Sequence, residues 1–319
     1  MDTARSILAR IGTVKETISQ TEAFTIKNII MAILALVFFA ANSVLCRLAL
    51  SGTNIDPASF TSLRLVSGAL MLLLISSLVA AKRKTSEDNC QLLHSPIEHW
   101  LAAAMLFLYA ATFSFAYMYL DTGMGALILF AFVQLTMFAY GHYREGGASG
   151  MEYLGALTAI CGLGYLVSPG VNSPNMWGAI LMAISGIAWG AYSVLGKEMK
   201  VPQLKANCIN FRLSLFFVVP FFLLNIPMNT LSQEGVWLAV ASGAIASAIG
   251  YAIWYGVVQH FKATQAGVMQ LTVPVIAGLA GYVLMSEPLT MRMLISASVI
   301  LLGIAVTFVG RDRKRSSTA

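Results

Sequence analysis

Asn42-Ser-Val-Leu-Cys-Arg47 and Tyr192-Ser-Val-Leu-Gly-Lys197 are two versions of one phrase, 150 residues apart. Each closes an apolar run. Each is followed by a second apolar run that carries an arginine, at Leu63-Arg64-Leu65 and at Phe211-Arg212-Leu213. The parallel continues downstream. Thr122-Gly-Met-Gly125 answers Thr264-Gln-Ala-Gly267, and Glu145 and Glu287 each stand 23 residues after those threonines. The chain reads as a duplication, and the direction in which each copy runs decides its architecture.

Composition names the solvent. Hydrophobic residues make up 58% of the 319 residues and charged residues 11%, where a soluble domain carries about 25% charge. Lipid, not water, faces most of such a surface. The net charge of +6 raises nucleic acid as a partner. The basic residues, however, lie in short loops between apolar runs, which is the pattern of a membrane protein. Cys46, Cys90, Cys161 and Cys208 have no metal or redox spacing, so we expect neither disulfides nor a metal. Residues 1–27 lack the apolar core of a signal peptide.

A helix needs about 20 apolar residues to cross hydrocarbon, and the apolar runs here do not alternate as strands would. Ten spans follow, near 28–50, 58–80, 100–120, 122–142, 151–168, 176–197, 206–227, 236–259, 264–285 and 290–310. Asn54-Ile-Asp-Pro57, Ser168-Pro-Gly170 and Ser286-Glu-Pro288 punctuate them. With the N-terminus inside, nearly all loop cations fall on the cytoplasmic side, among them Lys82-Arg83-Lys84, Arg144, Lys200, Lys262 and Arg311 to Arg315. The outer loops hold Arg292 alone. Both termini are therefore expected in the cytoplasm of a bacterial-type inner membrane. Five spans separate the two copies, an odd number, so the second copy crosses in the opposite sense. We expect an all-α integral membrane protein of ten transmembrane helices, built as two inverted five-helix repeats (28–168 and 176–310) between a cytoplasmic segment (1–27) and a basic tail (311–319). Inverted repeats are the architecture of alternating-access transport, with the substrate near the midplane.

Thr264-Gln-Ala-Gly-Val-Met-Gln-Leu-Thr-Val-Pro274-Val-Ile-Ala-Gly, with Ser286-Glu-Pro-Leu-Thr290 and Gly303, resembles an EamA repeat of the drug/metabolite transporter superfamily. Ala188-Trp-Gly-Ala-Tyr-Ser-Val-Leu and Leu63-Arg-Leu-Val-Ser-Gly-Ala resemble that family's other recurring segments. The similarity covers about residues 28–310. It is closest in kind to the YddG-type exporters of aromatic amino acids, and implies a cavity between the halves and no cofactor. The first half departs from the second: Phe132 stands where the second has Pro274, Phe39 where it has Trp189, and Gly147-Ala148 where it has Leu289-Thr290.

The chain has no phosphate-binding GxxxxGKS loop, no HExxH and no cysteine cluster, which argues against ATP-driven pumping and against an enzyme. No carboxylate stands in the middle of a span. A proton-coupled carrier would want one there, as would a carrier of cations. Arg64 and Arg212 lie within spans, each about two turns from an opposite face. Symmetric placement near opposite faces favours snorkelling or capping, with contact to a substrate carboxylate as the functional alternative. Arg47 and Lys197 read as interface residues.

Aromatic residues carry the positive signal. Trp100 and Trp237 begin spans, as interface tryptophans do. Tyr109 and Tyr117 in span three, Trp189 and Tyr192 in span six, and Tyr251, Trp254 and Tyr255 in span eight lie deeper. A deep Tyr or Trp that faced lipid would strand its polar atom, so these rings point to a cavity or a partner. Asn42, which aligns with Tyr192, together with Gln134 and Gln270, could bind substrate or tie helices together. Gly267 and Pro274 make span nine a candidate hinge, since proline frees the carbonyl of Gln270, with a static kink as the alternative. Gly186-Ile-Ala-Trp-Gly190 reads as a close-packing motif. The expectation is an exporter of amino acids, aromatic ones first, running downhill by uniport or exchange. Its partners are the small-molecule substrate and the bilayer, with no nucleic acid and no obligate protein. The alternatives are a broader drug or metabolite carrier, including nucleotide sugars, and then a membrane enzyme or receptor.

Overall fold

The computed structural model describes residues 2–83, 95–144, 148–225, 230–258, 260 and 269–318, with side chains outside the description at 2–25, 82–83, 197, 255, 258 and 311–318. Eleven helices and one π-helical segment form among these residues: α1 (Asp2–Gly52), α2 (Pro57–Arg83), α3 (Ile97–Ala116), α4 (Thr122–Arg144), α5 (Gly150–Val167), α6 (Met176–Glu198), α7 (Gln203–Asn225), α8 (Gln233–Val240), the π segment (Ala241–Ile249), α9 (Gly250–Val258), α10 (Thr272–Met285) and α11 (Met291–Thr318). The expected all-helical class holds. Among the described residues, nine stretches are long and apolar enough to cross a membrane, the eighth running from α8 through the π segment into α9, and α10 is a shorter apolar helix. Most span limits fall within a few residues of the expected ones. The N-terminal segment and the basic tail do not stand apart as coil, because α1 and α11 run through them as continuous helix.

Local chemistry sets the helix ends. Pro57 starts α2 at the position where a missing N–H costs nothing, and the Asp56 carboxylate accepts from the amides of Ala58 and Ser59. Ser149 and Glu152 close a reciprocal capping box on α5, and Asn175 and Ser232 cap α6 and α8. α10 stops at Ser286, which adopts φ 55° while the Glu287 amide reaches back to the Gly281 carbonyl, a left-handed helix stop. α3 ends at Ala116, four residues before the expected limit, and Tyr117–Leu120 form a turn. The early stop has a physical reason: Arg47 from α1 donates to the Tyr117 carbonyl at 2.8 Å, taking an acceptor the helix end leaves free.

The packing pattern has its own order. α5 lies along α11, α2 along α7, and α4 along α10; α3 packs on α6 and α7, and α1 on the π segment, α9 and α10. Small residues set these approaches. A Cβ at Gly186 would lie 2.6 Å from the Leu129 carbonyl oxygen, and one at Gly190 2.7 Å from Thr136, so the expected close-packing motif lets α6 settle on α4. Leu70, Leu74 and Leu78 form an exposed stripe at four-residue spacing on α2, the face that meets lipid.

Gly243, in the π segment, makes the tightest approach to α2. A Cβ there would sit 2.0 Å from the Arg64 carbonyl oxygen and 2.1 Å from Ser67 Oγ, and the backbone cannot yield cheaply. Gly243→Ala is expected to destabilise the detergent-solubilised protein by about 1–3 kcal/mol in thermal unfolding. Gly164→Ala, where a Cβ meets nothing within 4 Å, is expected to be neutral or mildly stabilising.

Candidate functional site

Rings from separate spans meet inside the bundle. Trp189 of α6 is the hub: its ring centroid lies 4.8 Å from Tyr109 of α3, 5.3 Å from Tyr192, and 5.1 Å from Tyr251 of α9. Phe39 of α1 stands edge-on to both Tyr251 and Trp254, at 5.7 and 5.8 Å, and Phe211 of α7 reaches Tyr251 at 6.1 Å. Towards the end of α3, Phe113 links Tyr109 to Tyr117. These are the tilted and edge-to-face geometries that aromatic quadrupoles prefer. The polar tips are satisfied inside the protein: Tyr192 donates to Asn207 at 2.5 Å, and Tyr117 to the Thr122 carbonyl at 3.2 Å.

Arg64 lies at the edge of this cluster and is only 2% exposed. It does not snorkel. Its Nη2 donates to the Tyr109 hydroxyl at 2.8 Å, and its guanidinium lies 5.1 Å from the Tyr109 ring centroid and 4.9 Å from that of Phe113. Its guanidinium is instead held inside the bundle by two rings of α3. Insertion of an arginine at mid-membrane costs about 2.5–3.5 kcal/mol on translocon scales. Two ring faces at about 0.5–2 kcal/mol each and one hydrogen bond to a charged group at about 1.5–3 kcal/mol offset that cost. They leave Nη1 buried with no hydrogen-bond partner.

A second charged centre closes the end of the bundle beyond Tyr117. Arg47 Nε donates to Glu287 Oε1 at 3.0 Å, and Nη2 lies 3.4 Å from Asp121 Oδ1. Glu287 Oε2 accepts from the Thr122 amide at 2.8 Å, which places a carboxylate on the positive end of α4. Arg47, expected only as an interface residue, thus joins α1, the α3–α4 turn and the α10–α11 connection. Burial and repulsion from Glu287 outweigh attraction by Arg47, and hold the Asp121 carboxyl above its usual range. On another face, Arg144 of α4 pairs with Glu198 of α6 at 2.9 Å.

Comparisons with known proteins now bear on this arrangement. A family model described as EamA-like transporter family matches residues 176–309. An uncharacterized protein of Pseudomonas aeruginosa is 40% identical over 285 residues, 89% of this chain and 96% of the relative. The chain belongs to the EamA-like transporter family. A protein of Escherichia coli K12 named as a probable amino-acid metabolite efflux pump is 21% identical over 302 residues, 89% of this chain and 95% of that one. A solved crystal structure superposes with a TM-score of 0.60 at 18% identity, covering 89% of this chain and 99% of that chain, a likeness of fold.

In this EamA-like chain the ring residues anticipated from sequence are brought together: Tyr109, Trp189, Tyr192 and Tyr251 directly or through one another, Trp254 through Phe39, and Tyr117 through Phe113. Asn42 is fully engaged elsewhere. Its Nδ2 donates to Ser247 Oγ at 3.1 Å, and its Oδ1 accepts from Ser242 Oγ at 2.7 Å, so it ties α1 to the π segment. Gln134 lines a groove between α4, α5 and α11 with Ile304 and Thr307. Arg212 is half-buried, and its neighbour Phe211, not the arginine, joins the rings. Gln270 and Pro274 flank a break: residues 269–270 are helical, Leu271 turns, and α10 starts at Thr272. Pro274 therefore sits in the first turn of α10, where its missing N–H breaks no helical bond. Gly267, Thr264, Glu145 and Cys90 lie outside the described residues, as do the side chains of Lys197 and Tyr255. Sequence reasoning missed Phe39 and Phe113 as ring partners and Asn207 as the acceptor for Tyr192.

Asp121 gives this site a pH signature. A carboxyl whose pKa is raised in the folded state adds stability below the ordinary carboxylate range, about pH 4, and loses it as pH rises through the raised value. Thermal unfolding of the wild type and Asp121→Asn across pH 3–8 (about five units, spanning both limits) is expected to show the wild type falling relative to the variant as pH rises. A difference that stays flat would refute the assignment.

Proposed function

We propose that this EamA-like transporter exports small molecules with aromatic or flat apolar bodies, aromatic amino acids among them, by alternating access and down their gradient. The carrying observation is the ring cluster centred on Trp189, drawn from α1, α3, α6, α7 and α9. Flat polarizable walls with a few hydrogen-bonding tips suit such ligands. The name of the Escherichia coli relative, a probable amino-acid metabolite efflux pump, is consistent with this substrate class.

The proposed mechanism rests on an inverted repeat. If span n of the first half corresponds to span n+5, then α3 on α6 corresponds to α9 with the π segment on α1, and α4 on α6 corresponds to α10 on α1. The contacts α2–α7, α4–α10 and α5–α11 correspond to themselves, and every one of these pairs is packed. Residues 28–168 and 176–310 would then exchange conformations, opening the ring cluster to one face and then to the other. Loop lysines and arginines support both termini in the cytoplasm of an inner membrane. The interior of the spans carries no carboxylate, which supports uniport or exchange. Uphill export of a neutral or zwitterionic substrate without a coupled ion is thermodynamically excluded.

Purified protein in proteoliposomes loaded with unlabelled phenylalanine is expected to drive counterflow of labelled phenylalanine or tryptophan without an imposed pH gradient. Trp189→Ala is expected to reduce the initial rate at least about tenfold, the loss of about 1.4 kcal/mol. No counterflow of either amino acid would remove them as substrates, and a pH-gradient requirement would remove uncoupled transport.

A further inference from the structure

Arg64 has no ion-pair partner among the described residues. Among the described residues, the ion pairs run from Arg47 to Asp121 and Glu287 and from Arg144 to Glu198. None includes Arg64, whose Nη1 is buried and without a hydrogen-bond partner. The guanidinium faces the Tyr109 and Phe113 rings, and the Tyr109 ring continues to Trp189 and Tyr251. A cation with one guanidinium nitrogen lacking an acceptor therefore stands at one end of a row of aromatic faces.

We infer that the ligands this site takes best are monoanions: one carboxylate on an aromatic or flat apolar body, with no ammonium. The carboxylate goes to Arg64 and the body lies on the rings of Tyr109 and Trp189. This rests on the reading of the ring cluster as the substrate site and sharpens it. A planar carboxylate supplies the acceptor that Nη1 lacks and neutralises a charge that the bundle otherwise leaves bare. A single cation suits a single negative charge, and a phosphate dianion would leave one unit uncompensated. A zwitterion satisfies Arg64 but brings an ammonium into the same low-dielectric volume. Two amide acceptors among the described residues of the neighbouring helices are already engaged: Asn42 Oδ1 accepts from Ser242 and Ser247, and Asn207 Oδ1 accepts from the Tyr192 hydroxyl. The ammonium is thus desolvated without a carboxylate to receive it. Export of a monoanion also fits spans that lack a coupling carboxylate, because an inside-negative membrane potential itself expels an anion.

The test uses three probes with the same ring and two-carbon arm: 3-phenylpropionate, phenylalanine and phenethylamine, with net charges of about −1, 0 and +1 at neutral pH. Binding to the detergent-solubilised full chain is followed by tryptophan fluorescence, since Trp189 touches three rings of the cluster. The expected order is 3-phenylpropionate tighter than phenylalanine by at least about tenfold, with phenethylamine weakest. Arg64→Gln is expected to weaken 3-phenylpropionate at least about tenfold, to change phenethylamine little, and to erase the preference for the anion; Arg64→Lys should restore part of it. Should Arg64→Gln fail to fold, Arg64→Lys and the order of the three wild-type affinities still decide. Phenylalanine equal to or tighter than 3-phenylpropionate overturns the inference. So does an anion affinity indifferent to Arg64. If phenylalanine counterflow is present while either of those results appears, the carrier reading stands and the anion preference alone is lost. If no probe binds and no counterflow occurs, both are lost.

Discussion

The hydrocarbon around its spans constrains every polar group that this bundle holds. A polar group within the spans must find its partner in the protein or be paid for in free energy, and the structure can be followed from one such debt to the next. Asn42 is settled by two serines of the π segment, Tyr192 by Asn207, and the open carbonyl at the end of α3 by Arg47. These contacts fix which helices touch and at what height. Arg64 is the place where settlement stops short, with ring faces and one hydroxyl standing in for solvent and one nitrogen left over.

Hydrophobic length, turn residues and loop charge made the helices legible, because these signals are local. Pro57, Ser168-Pro-Gly170 and Ser286 end or start helices where their backbone preferences dictate. The end of α3 was not legible. It depends on Arg47, 70 residues earlier in the chain, and no local pattern announces such a contact. The same reason explains why Arg47 and Arg64 resisted reading. A cation within reach of an interface is snorkelled or buried according to what the neighbouring helix presents, and for Arg64 that is Tyr109 and Phe113.

The ring residues were legible as a set because depth in a span is a strong filter on tyrosine and tryptophan. Their mutual contacts were not, since they require knowing which helices adjoin. Phe39 shows the limit well. By sequence it aligns with Trp189 of the second half, as a departure from that half's pattern. In the structure both residues pack on Tyr251, so the two positions share one ring partner. Asn42 had two readings from sequence, and its hydrogen bonds to Ser242 and Ser247 favour the helix tie. Pro274, expected to bend span nine, stands in the first turn of α10, three residues after a turn at Leu271.

The π segment makes span eight a helix with slack in it. Ala241–Ile249 is wound wider than the α-helices on either side, and wide turns of this kind hold surplus backbone that an α-helix would pass along. Letting one residue of that surplus slip out through α9 would turn Tyr251 and Trp254 by about 100° and advance them by about 1.5 Å, with no hydrogen-bonded ladder broken for longer than the slip itself. Both serines that hold Asn42 belong to this wide segment. Tyr251 and Trp254, two rings of the cluster, are therefore carried on the helix that continues directly from it.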